Sequence, residues 1–279
     1  MDAIAQLVGQ LKQQTPFVVL LYLNRAYVEM TKSFLCNLNM VSHGTHFVAK
    51  LVLIASDAQA FEEINGFLKT EPLHNLMGAF SPTVLHDLGG SKDNLDFGTE
   101  QYYHLTLFRL SLQNQLIQAS YNVMIIEADA IWLSPYAHNI LQEAFMGPAD
   151  IVSANDSGDT VNKLISAGFL LVKASARVKK FFSLYVRRYR TLLSKNQLIG
   201  EQILMTHMLQ EGADIHIKWL DECDFASGRW YIEEQYRERC PAPKVIQNNW
   251  IIGNYNKTER SKSWGHWFLS RNGSCMIRF

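Results

Sequence analysis

Apolar residues in the first half of the chain fall in short continuous runs, separated by segments where they recur every three or four positions. The first run, Phe17 to Leu23, is aromatic and β-branched and lies between Pro16 and Asn24-Arg25, which predicts a strand buried on both faces. Tyr27, Met30, Phe34 and Leu38 then share one helical face. Phe47 to Ala55 predicts a second strand, and Ser56-Asp57 offers an N-cap to a helix around Phe61 and Phe67. Ser81 to Leu85 reads as a third, weaker strand before the loop Gly89 to Asn94. Gln101 to Ala119 is the clearest helix, with Leu105, Phe108, Leu112 and Leu116 on one stripe, and a short turn leads to the strand Val123 to Ile126. Strands alternating with crossover helices predict an α/β fold with a mostly parallel central sheet flanked by helices.

The second half is less regular. It predicts a strand near Asp150 to Ala154, a hairpin-like run Ala167 to Lys173, helices near Ala176 to Leu193 and Glu201 to Gln210, and a short strand near Ile215 to Trp219. No Pro/Gly/Ser-rich linker divides the halves and no repeat is present, so residues 1–279 are expected to form one domain with a nucleotide-like α/β front and a substrate-shaping back.

Composition narrows the function. With 26 basic and 26 acidic residues the net charge is zero, which does not suit a nucleic-acid partner. The apolar runs are too short for a membrane-spanning segment. Cys36, Cys223, Cys240 and Cys275 lack C-x-x-C spacing, so a zinc cluster is unsupported and the redox compartment stays open. Sequons at Asn155, Asn256 and Asn272 hint at a lumenal history. Dinucleotide, P-loop, zincin and nucleophile-elbow motifs are absent. Gly89-Gly90, as a phosphate cradle, and His43 with His46, as metal ligands, each compete with a plain turn.

The strongest local signal is Glu127-Ala128-Asp129, two carboxylates interrupting an apolar run from Ile125 to Leu133. In an extended strand, residues two apart share a side, and like charges there repel and lose hydration. A divalent cation would relieve both, and hard oxygen ligands with a phosphate partner suit Mn²⁺ or Mg²⁺. The other reading is a strand leaving the core with both acids in water.

These residues belong to an ordered set: Phe97-Gly98-Thr99 with Tyr102 and Leu105, Tyr121-Asn122-Val123 before the acidic pair, Ala167-Gly168-Phe169, Glu201-Gln202, Leu220-Asp221, Phe225 with Ser227-Gly228, and Asn248-Asn249-Trp250 with Gly253 and Lys257. The set resembles the nucleotide-diphospho-sugar transferases related to glycosyltransferase family 77, such as the plant rhamnogalacturonan xylosyltransferases and arabinosyltransferases, and spans Phe17 to Phe268. The resemblance implies a GT-A fold, retaining transfer from a UDP-sugar to a glycan or glycoprotein acceptor, and Mn²⁺ or Mg²⁺ held by a DxD motif. It also implies the Golgi lumen where an N-terminal anchor precedes such a stretch, and the cytoplasm otherwise.

On this resemblance Glu127-Ala128-Asp129 is the DxD equivalent, with Asp129 the metal ligand and Glu127 near the ribose or the metal. Three positions depart from the pattern: Glu127 for Asp, Gln247 where a metal-binding His commonly stands, and Ser166 for Asn. Gln247 offers the metal an amide oxygen. Asn24 and Arg25 after the first strand and Asp57 after the second are expected to face the nucleoside, though Asp57 also suits a plain cap. Arg109 is expected near the diphosphate or the acidic pair and Lys257 near the leaving phosphate, each with a surface role as the alternative. Glu201, Gln202 and Asp221 are placed near the donor sugar or acceptor. Phe225, Trp250, Trp264 and Trp267 are either sugar-stacking faces or core. The departures keep open a second function, a catalytically degenerate scaffold that binds sugar nucleotides or glycans. A hydrolase using paired carboxylates is a third.

Overall fold

The computed structural model describes residues 17–42, 50–76, 83–86, 98–159 and 161–276. The loop at Gly89-Gly90, His43 with His46, and the start of the Phe47 strand lie outside these residues.

Seven strands form the central sheet: β1 (Phe17–Leu23), β2 (Lys50–Ala55), β3 (Thr83–His86), β4 (Asn122–Ile126), β6 (Ile151–Asn155), β7 (Ile165–Val172) and β8 (Ile217–Trp219), in the order β3-β2-β1-β4-β7-β6-β8. All neighbours are parallel except β7, which runs antiparallel to both β4 and β6. The mixed, mostly parallel sheet expected from the alternation is present.

Alternate side chains of the central strands feed two apolar layers, which is why those strands read as continuous apolar runs. Val19, Leu21, Leu53, Met124 and Ile126 pack on one face with Met30, Phe34 and Leu38 of α1 (Val28–Val41) and Ile64 and Phe67 of α2 (Ala58–Thr70). Val18, Leu20, Val52, Val123 and Ile125 pack on the other face with α3 (Glu100–Gln118) and α5 (Ala176–Ser194). The buried face of α3 carries Tyr103, Thr106, Leu110, Gln113 and Ile117 as well as Leu112 and Leu116, whereas Leu105 and Phe108 of the expected stripe are half-buried. Two polar residues sit on that face, which blurs its apolar period.

A smaller sheet follows the acidic pair: β5 (Ala130–Trp132), β10 (Val245–Gln247) and β9 (Phe225–Ala226), in the order β5-β10-β9. Asn37 of α1 serves the other edge of β5, its amide donating to Trp132 O (2.8 Å) and its Oδ1 accepting from Trp132 N (2.7 Å). The remaining described helices are α4 (Tyr136–Met146), α6 (Glu201–Gln210), the short α7 (Arg229–Ile232) and α8 (Glu234–Arg239), and α9 (Asn254–Ser263). No described helix is long and apolar enough to cross a membrane.

The four cysteines form two disulfides, Cys36–Cys275 and Cys223–Cys240. The first joins α1 to the C-terminal segment across 239 residues and is packed into the larger apolar layer. Replacing both Cys36 and Cys275 by Ala is expected to lower unfolding free energy by about 2–5 kcal/mol in a denaturant titration, with no change in far-ultraviolet circular dichroism below the transition.

Candidate active site

Parallel strands end on the same side of a sheet, so β1, β2, β4 and β6 deliver the residues that follow them to one edge. Asn24 follows β1, Ser56 follows β2, Glu127 follows β4 and Asp156 follows β6, while antiparallel β7 begins there with Ser166, Ala167 and Gly168. Together with Arg109 of α3, Glu201 and Gln202 at the start of α6, and Gln247, Asn249 to Gly253 and Lys257, they line a cleft of about 390 Å³. That volume lies in the range of small-ligand sites.

The acidic pair does not continue the strand. β4 stops at Ile126, Ala130 N donates to Glu127 O (3.1 Å), and Glu127-Ala128-Asp129 makes a tight turn into β5. The expectation of two carboxylates on one side of an extended strand is therefore corrected. The turn separates their environments: the Asp129 side chain is 4% exposed and that of Glu127 is 41% exposed. Asp129 Oδ2 accepts from Lys257 Nζ at 2.5 Å, while its Oδ1 is buried without a hydrogen-bond partner. Glu127 Oε1 lies 3.6 Å from Arg109, whose guanidinium is also over the Tyr22 ring, 5.1 Å from its centroid.

The small sheet brings Lys257 to this turn. Gln247 of β10 is opposite Ala130 of β5, and Asn248 N donates to Asp129 O (2.9 Å). The Asn248 amide then donates to Lys257 O (2.8 Å) and Ser261 Oγ (2.9 Å), pinning α9 against the turn. Gln247 is buried and its Oε1 accepts from Ser166 Oγ (3.0 Å), so two of the departures from the family pattern meet each other. The third, Glu127, rests against Gly168: a Cβ there would stand 2.7 Å from Glu127 Oε2, so a side chain at this position would displace the carboxylate.

Six charged side chains line the cleft, Glu127, Asp129, Asp156 and Glu201 against Arg109 and Lys257, an excess of two negative charges when all are ionised. Burial opposes the charge of Lys257, but Asp129 and Glu127 outweigh it and raise its pKa. Arg109 is likewise held protonated against its burial by Glu127 and Glu201. Burial pushes the Glu201 carboxyl up, with Arg109 pulling the other way. Asp156 is raised to about 6, chiefly by burial and with Glu127 and Asp129 adding, against the hydrogen bonds from Gln202 (3.1 Å) and Asn249 (2.5 Å) that favour its charged form.

The expected site residues thus divide. Asn24, Arg109, Glu127, Ala128, Asp129, Glu201, Gln202, Gln247 and Lys257 all line the cleft. Asp57 does not: its two oxygens accept from Ala60 N (2.9 Å) and Arg25 N (2.8 Å), so it caps α2 and ties it to the turn after β1. Arg25 is exposed and contributes its backbone there. Asp221 is exposed and caps its own turn through Cys223 N (2.8 Å). Phe225 is core, and Trp267 packs half-buried on that core. Asp156 and Asn249 are the members sequence reading missed; Asp156 follows a strand end just as Glu127 does, but its context reads first as the sequon at Asn155.

The mixed central sheet with its flanking helices has the fold of the GT-A glycosyltransferases. Over 88% of this chain and 95% of its own, the galactosyltransferase LgtC, solved with donor and acceptor sugar analogues, is similar at a TM-score of 0.53 and 11% identity. Mouse xyloside xylosyltransferase 1 is similar over 86% and 98% at 0.52 and 13%, and the glycosyltransferase GlyE of Streptococcus pneumoniae over 91% and 60% at 0.52 and 16%. The nucleotide-diphospho-sugar transferase family model matches residues 46–260, and the chain belongs to that family. It is also 21% identical, over 90% of its length, to the β-arabinofuranosyltransferase RAY1 of Arabidopsis thaliana, and spans about half that relative's length (47%).

The raised Asp156 carboxyl gives a test. An acid whose folded pKa stands above its unfolded value of 3.8 stabilises the fold fully below about pH 4 and loses that contribution as pH rises through about 6. The Asp156 contribution lost across that window is about 3 kcal/mol, about 1.4 kcal/mol for each pH unit between the two values. Asp156→Asn is expected to flatten this slope, whatever its absolute stability, in denaturant titrations at a series of pH values.

Proposed function

We propose that the protein transfers a sugar from a UDP-sugar to a glycan or glycoprotein acceptor, with retention, using a divalent cation, Mn²⁺ or Mg²⁺, at the ExD turn. The observation carrying this reading is the Asp129 carboxylate: one oxygen on Lys257, the other buried and unpartnered, in a cleft lined by four carboxyl groups against two basic side chains. A nucleotide diphosphate adds further negative charge, so a cation is the simplest way to make such a cleft accept it.

The donor set suits that ion. Asp129 Oδ1 is unpartnered, Glu127 is half-exposed to the cleft, and Gln247 lines it with an amide oxygen. No group of three His, Cys, Asp or Glu is gathered for a metal among the described residues. Phosphate and water oxygens would therefore complete the shell, as hard cations of this kind allow. When bound, the cation neutralises charge on the diphosphate leaving group.

Each remaining role rests on this chain's own groups. Lys257 is held cationic by its acidic neighbours and is positioned to donate hydrogen bonds to phosphate oxygens. Arg109 orients Glu127 and keeps the Glu201 side charge-compensated. Asn24 and Tyr27, beside the end of β1, are suited to the nucleoside, and Glu201 with Gln202 to the donor sugar. The likeness to a β-arabinofuranosyltransferase favours a pentosyl donor over a hexosyl one. The two disulfides support an oxidising compartment such as the Golgi lumen.

Thermal unfolding with UDP is the test. A ligand at about 100 times its dissociation constant adds about 2.7 kcal/mol to the folded state. UDP with Mn²⁺ is expected to raise the midpoint well above UDP alone, and Asp129→Asn to abolish the metal-dependent part. A UDP response indifferent to Mn²⁺ overturns the metal assignment, and UDP binding without transfer of any sugar favours the degenerate scaffold.

A further inference from the structure

We infer that Trp250 is the stacking platform for the acceptor's terminal sugar, and so a specificity-determining residue. This deepens the transferase reading and rests on it. Trp250 is the only non-glycine residue of the described cleft lining with a left-handed backbone, at φ 58°. Such a conformation is strained for a bulky residue. Burial does not offset it, because the side chain stays 49% exposed.

The surroundings instead immobilise this exposed indole. The preceding Asn249 donates to Asp156 Oδ1 (2.5 Å), accepts from Gly228 N on its side-chain oxygen (2.6 Å), and accepts from Arg260 on its backbone carbonyl. A Cβ on Gly228 would overlap the Asn249 carbonyl, so the two segments touch at glycine distance. The Arg229 guanidinium lies 5.5 Å from the Trp250 ring centroid, and is itself fixed by Glu233 (2.6 Å) and Gly158 O (2.6 Å). A cation thus stands over the indole, while the residue as a whole keeps about half of its surface open to solvent.

A rigid, half-exposed aromatic ring beside hydrogen-bonding groups matches the chemistry of a sugar, whose C–H face is apolar and whose hydroxyls are not. Asp156, Asn249 and Gln202, already joined by hydrogen bonds, supply those groups. Exposure assigns the sugar to the acceptor. Asp129 is 5% exposed at the phosphate end, while Trp250, Ile203 (39%) and Ile252 (74%) make an open apolar rim to the same cleft.

The test uses the full chain with ¹⁵N-labelled indoles, titrated with methyl β-D-galactopyranoside, methyl α-L-arabinofuranoside, methyl β-D-xylopyranoside and their short oligosaccharides, with and without UDP. The Trp250 resonance, identified by its loss in Trp250→Phe, is expected to shift saturably with at least one probe. In transfer assays with that probe, Trp250→Ala is expected to raise the acceptor KM about tenfold or more and Trp250→Phe by less than about threefold. UDP affinity and acceptor-free hydrolysis of the donor should stay within about twofold in both. An unmoved Trp250 resonance across the panel overturns the proposal, as does a Trp250→Ala variant that loses UDP affinity as much as acceptor affinity. Failure of UDP itself to bind the wild type would instead reject the donor-site reading, and the indole titration without nucleotide reads separately from it.

Discussion

The cleft depends on one buried ion pair, Asp129 with Lys257. Removing one partner of such a pair leaves an uncompensated charge in a low-dielectric site, at a cost of about 3–5 kcal/mol. The two residues are 128 positions apart, so satisfying the carboxylate obliges the C-terminal part of the chain to return over the β4–β5 turn. The three-stranded sheet performs that return: β5 continues from the acid turn, β10 pairs with it, and α9 follows with the lysine. Asn248, bonded to both α9 and the backbone of Asp129, holds the register.

The same arrangement explains why the cleft is chemically unfinished. Arg109 is committed to Glu127 and Glu201, and Lys257 to Asp129, yet Asp129 keeps one oxygen without a partner. Asp156 adds a fourth carboxyl, eased by Gln202 and Asn249 and titrating near 6. On the proposed function, a polyanionic donor entering such a site requires further positive charge, which would link its binding to a metal ion and to protons. The rim is of another kind, with Trp250 and Ile252 facing solvent around polar groups. Burial therefore falls off along the cleft, and the proposed placement of the diphosphate below and the acceptor sugar above rests on that gradient.

Much of this was legible in the residue pattern because strand burial and helix faces are local properties. β1, β4, α1, α3 and α6 fall where apolar runs and periodicity put them, and Asp57 caps its helix as its position before the helix suggests. Asp57 and Asp221 stand outside the cleft lining, each with a carboxylate oxygen bonded to the backbone N–H groups of its own turn, as suits a short acid beside free N–H groups. The turn at Glu127 was hidden because the apolar residues on both sides belong to two different sheets. Neither the two- and three-residue strands of the small sheet nor the pairing of Cys36 with Cys275 has a local signature, since each exists only through contacts distant in sequence. Asp156 and Asn249 became visible as site members only when the sheet edge gathered them.

The most direct test of this account is a crystal structure with UDP and Mn²⁺. The prediction is a diphosphate at the β4–β5 turn, with Lys257 Nζ donating to a phosphate oxygen and the metal on Asp129 Oδ1. UDP bound elsewhere on the molecule, or bound in the cleft with the Asp129–Lys257 pair unchanged and no metal beside it, would contradict the account.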